Sequence, residues 1–124
     1  MKLILIIEDN EKNLKLVRDV LQVKGYATVE ATSAEDGIRL AAERTPDLIL
    51  MDIQLPGMNG IDALRVLRAD PATATIPAIA VTASVMQQDR NLITDAGFDG
   101  YVSKPINLKE FLEAVRGALE SRPE

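Results

Sequence analysis

The sequence predicts an α/β fold built around a parallel sheet, and three observations carry the prediction. Short apolar runs rich in β-branched residues alternate with longer amphipathic stretches. The first, third and fourth runs are apolar throughout, as strands covered on both faces must be. Turn signals fall at the joints: Gly25, Pro46, Asp70-Pro71, Pro77 and Gly97.

The elements follow in order. Leu3–Ile7 reads as the first strand. Leu14, Val17 and Leu21 then recur at helical spacing, and Gly25 ends that helix. Tyr26–Glu30, "YATVE", is shorter and more polar, which suits an edge strand. Ser33 with Asp36 resembles a capping box opening a second helix that carries Ile38 and Ala41. Leu48–Met51 is the third strand. Ile61, Leu64 and Leu67 give a third helix, and Asp70-Pro71 ends it. Ala78–Val81 is the fourth strand. The fourth helix, near Val85–Asp95, is the least clearly amphipathic, and Gly100–Val102 is the weakest strand. Leu108, Phe111, Leu112, Val115 and Leu119 cover one face of a terminal helix. Pro123 lies in a polar tail.

Composition removes whole classes of function. The chain has 124 residues, the size of one domain spanning 1–124. A net charge of −5 argues against a general binder of nucleic acid or anionic membrane, since both need basic patches. There are no cysteines and no histidines. Cys- or His-based zinc sites and Ser-His-Asp or Cys-His catalysis are therefore excluded. Any metal must be held by oxygen, which points to a hard cation such as Mg²⁺. The start "MKLILIIEDN" is too short for a signal peptide or a membrane span, so a soluble, cytoplasmic protein is expected.

In open parallel sheets, sites form beyond the carboxyl ends of the strands, where strand order reverses. Strand 1 ends in Glu8-Asp9-Asn10, strand 3 in Asp52, strand 4 in Thr82-Ala83 and strand 5 in Ser103-Lys104-Pro105. Each group alone has an ordinary reading: an Asp as a turn or cap residue, a Lys as a solvated charge. Their coincidence at four strand ends of one sheet asks for more. Carboxylates crowded together repel, and a divalent cation compensates them. Mg²⁺ takes one or two carboxylates and leaves positions for phosphate oxygens. Lys104 supplies a point charge for phosphate, and Thr82 a hydrogen-bond donor. Asp52 is central among these groups, and a carboxylate can attack phosphorus. The constellation fits phosphoryl transfer onto Asp52. A hydrolase with a nucleophilic Asp places a second Asp two residues later; here that position is Gln54, which cannot shuttle a proton. A flavin-binding protein needs a hydroxyl- or Gly-rich loop after strand 1, where "EDNEKN" puts carboxylates instead.

Four markers, in order and on matching elements, carry a family resemblance: "EDN", "LILMDIQLPGMNG", "VTA" and "YVSKPI". From "LIIEDN" to "EFLEAVRGALE", the chain resembles the receiver domains of bacterial two-component response regulators. The resemblance implies a flavodoxin-like (βα)5 fold, with a five-stranded parallel sheet in the order 2-1-3-4-5. It implies that Asp52 accepts a phosphoryl group from a histidine kinase or histidine phosphotransferase. Asp9 and Asp52 match the direct Mg²⁺ ligands, Glu8 a ligand acting through water, and the main-chain carbonyl of Gln54 the third protein ligand. Lys104 matches the phosphate-binding lysine, and Pro105 the proline that follows a cis bond. Thr82 and Tyr101 match a switch pair that remodels the face of helix 4, strand 5 and helix 5, where a downstream protein binds.

Such a protein assists its own phosphorylation and dephosphorylation and is not an enzyme in the usual sense. Glu8 departs from the family pattern, where many members carry Asp. With no output domain expected, the chain resembles stand-alone receivers, monomeric or weakly dimeric. "LILMDIQLP" is similar to the cell-division and polarity regulators of the DivK type, and also to receivers fused to hybrid kinases.

Overall fold

The computed structural model describes residues 1–83 and 87–120. Val85 and Pro123 of the sequence reading lie outside them. Five strands form one parallel sheet: β1 (Leu3–Ile7), β2 (Ala27–Ala31), β3 (Leu48–Asp52), β4 (Ala78–Thr82) and β5 (Gly100–Ser103). Their order is β2-β1-β3-β4-β5, as the family resemblance implied. The helices between and after them are α1 (Glu11–Val23), α2 (Ala34–Arg44), α3 (Gly60–Ala69), α4 (Gln87–Ala96) and α5 (Leu108–Glu120). The chain runs outward from β1 to β2, then crosses back to β3. The order therefore reverses beside β1, and a crevice opens at the carboxyl ends of β1 and β3.

Side chains alternate across each strand, so the sheet feeds two cores. Leu5, Ile7, Ile49, Met51, Ala78 and Ala80 face the side covered by α2, α3 and α4. Ile4, Ile6, Leu48, Leu50, Ile79 and Val102 face α1 and α5, where Leu14, Val17, Leu21, Phe111 and Val115 meet them. Both faces of β1, β3 and β4 are thus buried, which is why these strands are apolar runs. No helix among the described residues is long and apolar enough to cross a membrane.

Three strands run one residue further than their apolar runs. The backbone ladder continues there: the Ile53 N–H donates to the Val81 carbonyl at 3.0 Å, and the Lys104 N–H to the Thr82 carbonyl at 2.8 Å. Asp52 and Thr82 are therefore strand residues, paired with Val81 and Ser103. β2 is shifted by one at its start. Tyr26 precedes it, with its N–H bound to the Leu21 carbonyl.

Local chemistry sets the helix starts. The Asn10 side chain caps α1 by accepting from the Lys12 and Asn13 N–H groups. Ser33 caps α2 through the Asp36 N–H, at the predicted spacing, and Asn59 caps α3. α3 begins hard against the end of β3. A Cβ on Gly60 would lie 2.6 Å from the Asp52 carbonyl oxygen and 2.9 Å from the Ile53 Cα, so only glycine fits.

At the opposite end of the sheet, Arg68 of α3 ties three segments together. Its guanidinium donates to the carbonyls of Ala74, Ile76 and Gly97 and lies 3.4 Å from Asp99. The Asp99 carboxylate in turn accepts from the Ala78 N–H at 2.8 Å. Arg68→Met keeps the aliphatic stem and strands these carbonyls. Urea denaturation should show a loss of about 2 kcal/mol; a loss under about 0.5 kcal/mol would show that the clamp carries no stability.

Candidate functional site

The parallel register brings the polar strand ends to one place. β1 delivers Glu8 and Asp9, β3 ends on Asp52, β4 ends on Thr82, and β5 leads into Lys104. Asp52 is 3 % exposed and Glu8 5 %, whereas Asp9 faces solvent. The Lys104 ammonium reaches both buried carboxylates, with Nζ 2.9 Å from Asp52 Oδ2 and 3.2 Å from Glu8 Oε1. Two backbone amides complete the set. The Gln54 N–H donates to Asp52 Oδ1 at 2.9 Å, and the Asn10 N–H to Glu8 Oε2 at 3.2 Å. Lys104 is itself anchored through its N–H on the Thr82 carbonyl, and its peptide bond to Pro105 is cis.

The electrostatics follow from burial and proximity. Burial, then the hydrogen bond to Asp52, then the Asp52 charge push the Glu8 carboxyl up to about 7. Burial alone would also raise Asp52. Hydrogen bonds from Glu8, Lys104 and the Gln54 amide, with the Lys104 charge, outweigh it and hold Asp52 below the usual carboxylate range. Burial works against the Lys104 ammonium, but its two carboxylate partners keep it above its ordinary value. At neutral pH the site therefore contains an ionised Asp52 beside a Glu8 that readily holds a proton.

Ligand oxygens of Glu8, Asp9 and Asp52 lie within 4.8 Å of one another. Three carboxylates with no nitrogen or sulfur donor suit a hard divalent cation such as Mg²⁺. A dication favours the ionised form of Glu8, so Mg²⁺ should bind more tightly as pH rises through about 7. At pH 6, below that value, binding should release close to one proton. Calorimetry in buffers of differing ionisation heat measures this, and an affinity that is flat from pH 6 to 8 would contradict it.

Thr82 is 2 % exposed, pairs with Ser103 on β5 and follows Val81, the partner of Asp52 on β3. Tyr101 points outward and is 37 % exposed. The structure thus gathers Glu8, Asp9, Asp52, Thr82 and Lys104, and leaves the Tyr101 ring outside the cluster. Gln54 touches Asp52 through its backbone, and its side chain is exposed. The sequence reading missed two contributors. The Asn10 amide was hidden in a triplet read only for its acids. The close backbone approach at Gly60 leaves no mark in the sequence, where a glycine by itself signals only a turn. Outside the cluster, the Arg90 guanidinium lies 5.5 Å from the Tyr101 ring centre, a contact with no signal in the sequence.

The chain matches the family model for the response regulator receiver domain over residues 4–116. It is 43 % identical over 118 residues to the polar-differentiation response regulator DivK of Brucella ovis, covering 95 % of this chain and 96 % of that one. A crystal structure of the receiver domain of a Pseudomonas aeruginosa PAO1 sensor histidine kinase, with magnesium coordinated in its active-site cleft, superposes with a TM-score of 0.90. It shares 32 % identity and covers 97 % of this chain and 98 % of that one. A CheY-like receiver protein from Methanospirillum hungatei JF-1 gives a TM-score of 0.91 at 28 % identity, over 98 % and 96 % of the two chains. With the strand order, the acidic crevice and the family match in agreement across almost its whole length, the chain belongs to the response regulator receiver domain family of two-component signalling.

Proposed function

We propose that this protein is a phosphoacceptor switch, and that one observation carries the reading most directly. Asp52 is buried yet kept ionised, held by the Lys104 ammonium and the Gln54 amide in a cluster of acids. A carboxylate with no role in chemistry would be a burden there.

The proposed donor is a phosphohistidine on a histidine kinase or histidine phosphotransferase. One Asp52 oxygen attacks phosphorus, and the phosphorus–nitrogen bond to the donor imidazole breaks. The donor ring carries a proton on its other nitrogen, so the imidazole leaves with the electron pair as a neutral ring, and Asp52 becomes an acyl phosphate. Lys104, already beside Asp52 Oδ2, balances charge on the incoming phosphoryl oxygens. Asp9, Asp52 and the Gln54 carbonyl would hold Mg²⁺, with Glu8 acting through water. Mg²⁺ bound there would neutralise phosphoryl charge. Gln54 offers no acid that could turn the site into a hydrolase. The protein in this reading assists its own modification and is not an enzyme acting on a separate substrate.

Output is proposed to pass from Thr82 to Tyr101 and on to the face of α4, β5 and α5, where a downstream protein binds. The similarity to DivK, a polar-differentiation response regulator, favours a regulator of cell polarity or the cell cycle, proposed to be cytoplasmic, stand-alone and monomeric or weakly dimeric. Incubation with acetyl phosphate and Mg²⁺ tests the reading. One phosphoryl group should be added, and none in EDTA; uptake unaffected by EDTA would overturn the metal-dependent step. Thr82→Ala should label to a near-native extent, yet beryllofluoride, a phosphoryl mimic, should no longer change the exposure of Tyr101. A native-size change in that variant would remove the hydroxyl from the switch.

A further inference from the structure

We infer that Arg90 is a positioning residue that holds Tyr101 outward in the unphosphorylated protein; the inference rests on the switch reading above. β5 is an edge strand, and Tyr101 pairs in register with Ala80. Ala80 belongs to the core on the α2–α4 side, whereas Val102 belongs to the opposite one. Tyr101 therefore lies on the same sheet face as Ala80 and Thr82, one strand away. Ala80, the cross-strand partner of Tyr101, is small and presents little bulk to the ring. Something else keeps Tyr101 37 % exposed. Among the described residues, the Arg90 guanidinium of α4 lies 5.5 Å from the ring centre, within cation–π range.

The same arginine carries an unsatisfied donor. Its Nε is buried and has no hydrogen-bond partner among the described residues. An unsatisfied donor offsets part of what the ring contact contributes. The outward state is thus favoured by a small margin, as a two-state element poised for a signal requires. Moving Tyr101 inward breaks the ring contact and frees Arg90. By linkage, whatever Arg90 contributes to the outward state weakens phosphoryl-mimic binding at Asp52 by the same factor.

The test uses the Tyr26→Phe background, in which Tyr101 is the one remaining tyrosine and the chain has no tryptophan. Acrylamide quenching of its fluorescence reports ring exposure, with beryllofluoride and Mg²⁺ as the probe. In this background, quenching should fall about twofold when beryllofluoride binds, as expected for a ring half of whose exposure is lost. In Arg90→Ala, quenching should already be low without the probe, and beryllofluoride should bind about fivefold more tightly. Arg90→Met, which keeps the packing of the stem, should match Arg90→Ala, and Arg90→Lys should stay near native. The sign is diagnostic, because an arginine that merely covers the ring would give the opposite result. If Arg90→Ala leaves quenching unchanged or raises it, the inference is overturned. If beryllofluoride binds yet never changes Tyr101 quenching with Arg90 intact, the switch reading fails and the inference with it.

Discussion

Asp52→Asn should abolish phosphoryl uptake and, in the metal-free protein, flatten the dependence of stability on pH between pH 5 and pH 8, because the Asp52 hydrogen bond and charge are two of the causes that raise Glu8. The amide keeps an acceptor for the Gln54 N–H, now at 2.9 Å from Asp52 Oδ1, and removes the charge that helps raise Glu8. The Glu8 carboxyl stands near 7 in the folded protein, above its ordinary 4.5. Its contribution to stability is therefore fully present below about 4.5 and is lost as pH rises through about 7. Asp52 and Lys104 shift in directions whose effects fall below and above this window. Between pH 5 and pH 8, the native metal-free protein should thus lose stability. In Asp52→Asn the slope should shrink without vanishing, because burial, the largest cause of the Glu8 shift, remains. Urea denaturation of both proteins at the two pH values measures the slopes; a variant with the native slope would contradict the electrostatic account of the site.

Lys104→Ala leaves Glu8 and Asp52 buried and close with no cation between them. Breaking a buried pair from one side is costly, because the partner charge stays behind. The loss at pH 8 without metal should be about 2–3 kcal/mol, softened because Glu8 can take up a proton. Two rescues should follow. Lowering the pH to 6 protonates Glu8 and recovers part of the loss, and millimolar Mg²⁺ recovers more than it adds to the native protein. Thermal denaturation reads both. A deficit independent of pH and Mg²⁺ would mean that the lysine matters for packing alone. The variant should still accept some phosphoryl group while Tyr101 responds poorly.

The strands were legible because sheets buried on both faces demand apolar runs, and "LILII", "LILM" and "AIAV" answer that demand. Their last residues were less so. The hydrogen-bond ladder continues past the apolar run, so Asp52, Thr82 and Ser103 are strand residues despite their polarity. The site was legible through one rule, that strand ends of a parallel sheet converge, applied to Glu8-Asp9, Asp52, Thr82 and Lys104. The strand order was not derivable from periodicity and came from family resemblance.

What stayed hidden depends on side-chain reach. Lys104 was read as a phosphate ligand; in the structure it bridges two carboxylates. Arg68 and Arg90 look alike in sequence, as charges on helices. One binds carbonyls from two loops and the other lies over a ring on another element. Neither partnership leaves a periodic mark.

The central claim is that Asp52 receives the phosphoryl group, and peptide mapping after treatment with acetyl phosphate and Mg²⁺ tests it most directly. The expected result is one phosphoryl group, stable in acid and labile in base, on the peptide containing "LILMDIQLP", reducible by borohydride at Asp52 and absent from Asp52→Asn. Undiminished labelling of Asp52→Asn, or a base-stable ester elsewhere in the chain, would contradict the account.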